Sequence, residues 1–379
     1  MDRHLQHQRN LAMKKTLIAI AALTAVSAFA QSSVTLSGTL KGGVAQTKYS
    51  NGPVGSANGT GLSVADGSSR FIISGTEDLG GGLQALFQMD ARFRVDGPTT
   101  ATPGGGNTFV GLRGGLGMVQ IGNLDTHYCL GMDSEGSRAT ARQANSCALL
   151  GYINDTAVAN TAARTPNVVR YTTPNLSGFQ GQLSYSASPF GNEGTVGAAG
   201  KGRAMQAGLN YGKGPIKAGL SVWDAKSESR IAGAARGDQK AYTLFGDYNF
   251  GVATVGLTYD QSEINAGLIG AADSKTKRNV WSMPVTVPVG AGTFLFTYTK
   301  AGNGERNGVD IANSSSALWF MGYDYSLSKR TKVGVSYAKL NNKANAGYTL
   351  YTQASANGTP NNVVGQDASQ LYMGIRHVF

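Results

Sequence analysis

The stretch from Gln84 to Asp96, QALFQMDARFRVD, alternates polar and apolar side chains along almost its whole length. Its even-numbered positions are polar except for Leu86, and its odd-numbered positions are all apolar. Alternation with a period of two predicts a β-strand that has one wet face and one apolar face. The apolar face would be the core of a soluble β-sandwich, but it would face lipid in a membrane barrel.

The same alternation recurs along the chain, over residues 179–186, 205–211, 253–260 and 332–337. Tight turns rich in glycine alternate with longer polar stretches such as 191–203 and 341–367. Short turns at one end and long loops at the other are typical of outer-membrane barrels. The sequence therefore predicts an all-β fold. It is a closed antiparallel transmembrane β-barrel of about 16 strands, with short periplasmic turns, long extracellular loops and an aqueous channel.

The composition agrees with a barrel and excludes a helical membrane protein. Hydrophobic residues make up 41% of the chain, which contains 53 Gly, and the mean hydropathy is −0.17. After the first thirty or so residues, no segment approaches the roughly 20 consecutive apolar residues that a membrane-spanning helix requires. Barrel strands alternate lipid-facing and lumen-facing residues, so their average hydrophobicity stays low.

The first thirty residues have the pattern of a signal peptide. Met13-Lys14-Lys15 gives a basic start, residues 16–26 form an apolar run, and Ala28-Phe29-Ala30 is a small-x-small cleavage site. A membrane anchor is the alternative, but the apolar run is too short for one. We expect a signal peptide over 1–30, with 1–12 as an extension upstream of a start at Met13, and one barrel domain over 31–379.

The basic excess has two interpretations. The chain contains 33 Lys and Arg against 22 Asp and Glu, a formal net charge of +11. Nucleic acid is a poor partner for an exported chain that lacks clustered basic helices and an RNA-binding signature. Basic side chains that line an aqueous pore favour anions, so we expect an anion-preferring channel.

Several segments resemble the general porins of Gram-negative bacteria, of the Burkholderia and Neisseria type. They are SVTL at 33–36, GTEDLG at 75–80, FVGL at 109–112, VRY at 169–171, GYDYSLSKRT at 322–331 and GIRHVF at 374–379. The resemblance covers the chain from residue 33 to its end. It implies an outer-membrane homotrimer of sixteen-stranded barrels that passes small anions and hydrophilic solutes. It also implies contact with outer-membrane lipid and lipopolysaccharide, and a terminal Phe379 that the assembly machinery recognises.

The longest connection without a strand pattern runs from about His127 to Thr165. Long unstructured connections in compact folds are usually functional, and the resemblance identifies this one as the third loop, folded inward to constrict the pore. It contains Cys129 and Cys147, which we expect to form a disulfide because the periplasm is oxidising. A metal site built from these cysteines and His127 is the alternative; we predict no metal.

Five bases fall on the polar faces of their predicted strands. They are Lys41, Arg70, Arg92, Arg94 and Arg170. The resemblance implies that such bases form a wall of the pore constriction, and Arg70 and Arg170 match arginines of the family's basic wall. The acids Asp133 and Glu135 in the third loop are expected to belong to the same constriction.

Catalytic motifs are missing from the sequence. It has 4 His, and it contains no nucleophile elbow, phosphate loop or zinc-ligand spacing. Gly80-Gly81-Gly82 could suggest a phosphate loop, but no helix is predicted after it, which favours a hairpin turn. We therefore predict a channel that is not an enzyme and uses no cofactor. A barrel devoted to adhesion or to outer-membrane enzymology, and a soluble β-sandwich lectin, are the alternatives.

Overall fold

The computed structural model describes residues 33–97, 103–127, 130–131, 146–150, 164–189, 202–227, 235–268, 272–350 and 363–379. Within these ranges the chain forms nineteen β-strands. They are β1 (Ser33–Ser50), β2 (Gly59–Asp66), β3 (Ser69–Gly80), β4 (Leu83–Phe93), β5 (Thr108–Gly114), β6 (Gly117–Asp125), β7 (Arg164–Thr172), β8 (Phe179–Ser186), β9 (Gly202–Lys213), β10 (Ile216–Ser227), β11 (Ala235–Asn249), β12 (Thr254–Leu268), β13 (Ser274–Val289), β14 (Gly292–Ala301), β15 (Glu305–Arg306), β16 (Val309–Asp310), β17 (Ser316–Ser326), β18 (Thr331–Asn342) and β19 (Asp367–Val378). A 3-10 turn, Ser146–Ala148, lies between β6 and β7. No helix in the described ranges is long and apolar enough to cross a membrane.

Sixteen of the described strands form one closed antiparallel barrel, as predicted. The first and last strands close it, because β1 pairs with β19 from Thr39↔Val378 to Ser50↔Asp367. β2 continues the line of β3, since the two pair with successive parts of the same edge of β1. β15 and β16 form a small hairpin in the connection between β14 and β17.

The two faces of the barrel wall differ as the period of two predicts. Outward-facing side chains are apolar, large and exposed. Val110, Ile121 and Met373, for example, are 59%, 54% and 61% exposed. Inward-facing positions carry small hydroxyl side chains such as Ser282 and Thr299, both buried. An apolar exterior of this extent would be costly in water, and it matches a surrounding lipid bilayer.

Connections at one end of the barrel are short hairpin turns, and those at the other end are long. The turn between β3 and β4 is made by glycine: Gly80, Gly81 and Gly82 have φ angles of 83°, 61° and 79°. A residue with a Cβ rarely adopts such angles, so three glycines in succession fit this turn. The hairpin interpretation of this motif is therefore confirmed. The longest connection joins β6 to β7, where the inward-folding loop was predicted.

The strand predicted over residues 84–96 ends earlier than expected, because β4 stops at Phe93. Arg94 donates from Nε and Nη2 to the two carboxylate oxygens of Asp96, at 2.8 and 3.0 Å. One of these oxygens also accepts from the backbone N–H of Asp66 at 2.9 Å. Side-chain bonding of this kind competes with sheet pairing and takes residues 94–96 away from the wall. The predicted signal peptide, residues 1–30, lies outside the described residues.

The C-terminal residue lies on the seam that closes the barrel. The N–H of Phe379 donates to the carbonyl of Gly38 at 3.2 Å, and the N–H of Gly38 donates to the carbonyl of Phe379 at 3.0 Å. The ring of Phe379 covers Gly38 so closely that a Cβ at position 38 would collide with it. The terminal aromatic is 39% exposed on the outer surface, and its role in assembly stays a prediction.

Candidate pore constriction

The ends of the third loop are tied together where it leaves the wall. Asp125, the last residue of β6, forms an ion pair with Arg164, the first residue of β7, at 3.1 Å. The hydroxyl groups of Thr126 and Thr165 lie 2.7 Å apart and share a hydrogen bond. These contacts fix the direction in which the chain departs from the barrel wall.

Directly after these contacts, the side chain of His127 lies against the inner face of β10 and β11. Its Nδ1 lies 3.0 Å from Ser221 Oγ on β10, and its Nε2 lies 3.0 Å from Thr243 Oγ1 on β11. The Thr243 hydroxyl in turn donates to Asp260 on β12 at 2.7 Å. His127 is only 1% exposed. Because β10 to β12 lie beyond β7, β8 and β9 in the barrel, the loop has folded inward.

A second contact holds the loop farther along. Ser146 Oγ accepts a hydrogen bond from Thr299 Oγ1 on β14 at 2.7 Å. The Thr299 hydroxyl also lies 2.6 Å from that of Ser282 on β13. All three side chains are fully buried, so this contact excludes water from the wall.

From Cys147 to Leu150 the loop is apolar. Leu149 and Leu150 are 0% and 3% exposed, and they pack against inward-facing apolar side chains of the barrel. The strand residues in this cluster are Tyr49, Val280, Leu295, Ala301, Leu318, Phe320, Ala338, Leu340 and Ala368. We call the inward faces of β10–β14, β17 and β18, which the third loop contacts, the covered wall.

Another part of the lumen, on β1, β3, β4 and β19, is lined by bases. Arg70 on β3 and Arg92 on β4 are directly opposed across the two strands, and Lys41 on β1 is opposed to Arg376 on β19. We call these four residues the basic wall. Asp90 lies among them, 2.8 Å from Arg92 and 3.6 Å from Arg70. The Arg70 side chain is nevertheless 39% exposed while that of Asp90 is 3% exposed, so the open surface of the basic wall is cationic.

The other two predicted wall bases lie apart from this group. Arg94 follows the end of β4 and is held by Asp96. Burial raises the pKa of Asp96, but the hydrogen bonds from Arg94 and from backbone N–H groups, together with the positive charge of Arg94, outweigh it, so its pKa lies below the ordinary value. The hydrogen bond to Asp96 raises the pKa of Arg94. Arg170 on β7 donates to Ser184 Oγ at 3.0 Å and also to the backbone carbonyl of Asp125.

Inward-facing bases outnumber inward-facing acids among the described strand residues. The bases are Lys41, Arg70, Arg92, Arg113, Arg170, Lys217, Arg278, Lys332 and Arg376, and the acids are Asp78, Asp90, Asp247, Asp260 and Asp324. Lys217 and Asp247 are opposed on neighbouring strands. The described part of the lumen is therefore basic.

Five of the inward-facing bases were not predicted, namely Arg113, Lys217, Arg278, Lys332 and Arg376. Arg376 and Lys332 are opposed on β18 and β19. Their position follows from the outward-facing Met373 and Ile375, so the same parity argument applied to the last strand would have found them. Arg278 on β13 is 7% exposed, and its guanidinium lies 5.2 Å from the centre of the Tyr348 ring. Tyr348 lies in a loop, so the alternation of strand residues could not have predicted this contact.

The third-loop predictions fall largely outside the described residues, where Cys129, Asp133 and Glu135 are located. Cys147 is 6% exposed beside Leu149, and no described cysteine is free. Its pairing with Cys129 stays a prediction. Among the described residues, no group of three or more His, Cys, Asp or Glu side chains is arranged to hold a metal ion.

Comparison with known proteins agrees with this geometry. A family model described as Gram-negative porin matches residues 16–346. The outer membrane porin protein 32 of Delftia acidovorans is 31% identical, over 97% of this chain and 100% of that protein. The major outer membrane protein P.IB of Neisseria lactamica is 28% identical, over 90% of this chain and 98% of its own length.

Solved structures show the same fold. An anion-selective porin from Comamonas acidovorans superposes with a TM-score of 0.71 at 26% identity, covering 92% of this chain and all of that one. The outer membrane protein OmpT of Vibrio cholerae superposes with a TM-score of 0.64 at 14% identity, over 92% of this chain and 98% of its own. The second likeness concerns the barrel fold alone.

Proposed function

Because the chain belongs to the family of Gram-negative porins, we propose that its outer-membrane barrel is a water-filled channel that prefers anions. The channel passes small hydrophilic solutes and ions by diffusion. The observation that carries the anion preference is the basic wall: the Arg70 side chain is 39% exposed beside Arg92, while the Asp90 carboxylate that pairs with both arginines is buried. The porin from Comamonas acidovorans, described as anion-selective, is a similar structure.

The charges are strong enough to bias ion flow. Two unit charges 4 Å apart interact by about 1 kcal/mol in bulk water and about 4 kcal/mol at an effective dielectric of 20. A narrow aqueous passage with a low-dielectric wall lies between these limits. Since about 1.4 kcal/mol is a tenfold ratio, a few exposed bases suffice for a several-fold preference. The bias weakens at high salt, where the Debye length falls from about 10 Å at 0.1 M to about 3 Å at 1 M.

The proposal includes the partners implied by the family resemblance. The barrel assembles as a homotrimer, contacts outer-membrane lipid and lipopolysaccharide, and is recognised by the assembly machinery through Phe379. The exposed apolar exterior supports contact with lipid and with other copies of the chain. A heat-sensitive oligomer in detergent that dissociates to a β-rich monomer would support the trimer, and a monomer before heating would contradict it.

One arrangement in the lumen could suggest an enzyme. Ser221, His127 and Asp260 are connected through hydrogen bonds that include Thr243, a composition shared with serine hydrolases. Their exposures are 3%, 1% and 0%, so a substrate cannot reach the Ser221 hydroxyl. We therefore propose a passive channel without catalysis or cofactor. A fluorophosphonate probe that reacts with activated serines should leave Ser221 unlabelled.

The experiment for the channel function is recording from purified protein in planar bilayers. We expect stepwise conductance increases and, in a tenfold KCl gradient, a reversal potential of the sign that anion permeation gives. Failure to insert with any conductance would contradict the channel function. A reversal potential of the opposite sign would contradict the anion preference and leave the channel function intact.

A further inference from the structure

Six hydrogen bonds form one continuous chain along the inner wall, from β7 to β12. It begins at Arg170, whose Nε lies 3.0 Å from Ser184 Oγ on β8. Ser184 Oγ lies 2.9 Å from Gln206 Oε1 on β9, and Gln206 Nε2 lies 3.1 Å from Ser221 Oγ on β10. Up to this point every member belongs to the barrel wall.

Strands β10 and β11 are paired, with Ser221 opposed to Thr243, and the third loop supplies the side chain that links their two hydroxyl groups. Its His127 lies between Ser221 and Thr243, with both ring nitrogens 3.0 Å from the hydroxyl oxygens. Thr243 then donates to Asp260 Oδ2 at 2.7 Å. Without the imidazole, the hydroxyl groups of Ser221 and Thr243 would lack this link, and the chain would separate into two parts.

The hydroxyl hydrogens fix the direction of the chain. Thr243 has one hydroxyl hydrogen and gives it to Asp260, so its oxygen must accept from His127 Nε2–H. Ser221 already accepts from the Gln206 amide, so its own hydrogen is available for His127 Nδ1. We assign His127 as the Nε2–H tautomer from this network, with Ser221 donating to Nδ1. Every donor points away from Arg170 and toward Asp260.

We propose that His127 is a positioning residue of the channel: it joins the third loop to a directed hydrogen-bond chain that runs from the Arg170 guanidinium to the Asp260 carboxylate. A chain whose dipoles all point from a cation to an anion is mutually polarised, which strengthens each bond. One side chain therefore links the start of the constricting loop to the hydrogen bonds that orient a wall arginine. This inference rests on the proposed channel function.

The matched variants follow from the direction of the chain. His127→Gln preserves it, since the amide oxygen can accept from Ser221 and the amide N–H can donate to Thr243. His127→Ala removes the hydrogen bonds of the imidazole to both Ser221 and Thr243. Thr243→Val removes the hydroxyl group of the wall residue with little change in side-chain volume. Ser146→Ala serves as the comparison, because it weakens the second contact of the same loop and leaves the chain intact.

The readouts are open-channel current noise and the reversal potential in single-channel recordings, with the heat stability of the oligomer as a folding control. We expect His127→Ala to increase the noise and to lower the anion-to-cation permeability ratio by about twofold, since Arg170 and the loop lose their orientation. His127→Gln should restore most of the wild-type behaviour. Thr243→Val should resemble His127→Ala, and adding it to His127→Ala should change little, because both break the same chain.

Wild-type noise and selectivity in His127→Ala would overturn the inference, as would a His127→Gln channel no better than His127→Ala. Additive effects of His127→Ala and Thr243→Val would show that the two residues act independently, which contradicts a single connected hydrogen-bond chain. If His127→Ala does not assemble, Thr243→Val and His127→Gln decide the same question. Absence of any wild-type conductance would refute the channel function itself, which is a separate outcome.

Discussion

The basic wall and the covered wall are inner faces of the same barrel, yet they carry different chemistry. At the basic wall, Arg70 and Arg92 lie beside one another and share the buried Asp90. At the covered wall, inward-facing Leu295, Leu318 and Leu340 are completely buried. Leucine facing an aqueous lumen would be unfavourable, so those positions are apolar because the third loop lies over them. The comparison shows that the loop decides which part of the wall the solutes meet.

The largest effect should come from placing a charge beneath the loop. Leu295→Asp would bury an ionised carboxylate among leucines, which costs several kcal/mol or more, so the loop should detach instead. We expect single-channel conductance to rise by about twofold as the constriction opens. Leu86→Asp is the control, since Leu86 faces inward on β4 and does not belong to the apolar cluster that the described loop residues form with the wall. Unchanged conductance in Leu295→Asp would mean that the loop does not narrow the pore.

A smaller effect distinguishes the predicted wall bases from one another. Arg70→Ser should lower the anion preference severalfold, because its guanidinium is open to the lumen and incompletely offset by Asp90. Arg94→Ser should change it little, because Asp96 already neutralises Arg94 through two hydrogen bonds. Reversal potentials at 0.1 M salt measure both variants. Equal shifts of the reversal potential in the two variants would show that the ion pair with Asp96 does not reduce the contribution of Arg94 to the anion preference.

The predicted disulfide should affect the loop more than the barrel. Closing a loop of this length stabilises by about 3 kcal/mol in the chain-entropy model. Replacing Cys129 and Cys147 by Ser should therefore increase current noise and leave the heat stability of the barrel nearly unchanged. Intact-mass analysis after alkylation without reductant checks the bond itself: an unlabelled chain is expected, and two labelled thiols contradict the pairing.

The smallest change in anion preference is expected at acidic pH. The folded pKa of Asp96 is depressed, so the stabilisation from its pair with Arg94 is complete above the unfolded value of about 3.9 and is lost as pH falls through the folded value. As pH falls through the folded pKa of Asp96, which lies below the ordinary value, Arg94 should lose its ion pair with Asp96, and the anion preference should rise. Asp96→Asn should already show the higher preference at neutral pH, with a weaker acid response. An identical response in both proteins would contradict this assignment.

Most of the fold could be predicted because the strand period is a local property. Residues 84–96 alone show the two faces of a barrel strand, and the glycines at 80–82 mark its turn. The end of β4 could not be predicted in this way. It depends on the carboxylate of Asp96 meeting a backbone N–H thirty residues earlier in the chain, at Asp66.

The constriction was predictable in part, for the same reason. Parity placed Lys41, Arg70 and Arg92 in the lumen, but the contacts of His127 with Ser221 and Thr243 join segments far apart in sequence. One local signal was present: over residues 317–321, ALWFM, both faces of β17 are apolar. A strand without alternation in an otherwise alternating barrel indicates that something covers its inner face.

The most direct test compares the accessibility of the two walls to an anion in the open channel. Ser74→Cys puts a thiol on the inner face of β3 near the basic wall, and Thr297→Cys puts one on β14 beneath the loop, where the side chain is 1% exposed. A negatively charged methanethiosulfonate reagent is added during single-channel recording, with the wild-type protein as the control for its own cysteines. We predict a rapid stepwise fall in current for Ser74→Cys and none for Thr297→Cys. Equal rates at both positions, or faster reaction at Thr297→Cys, would contradict a pore bounded by the basic wall on one side and the loop-covered wall on the other.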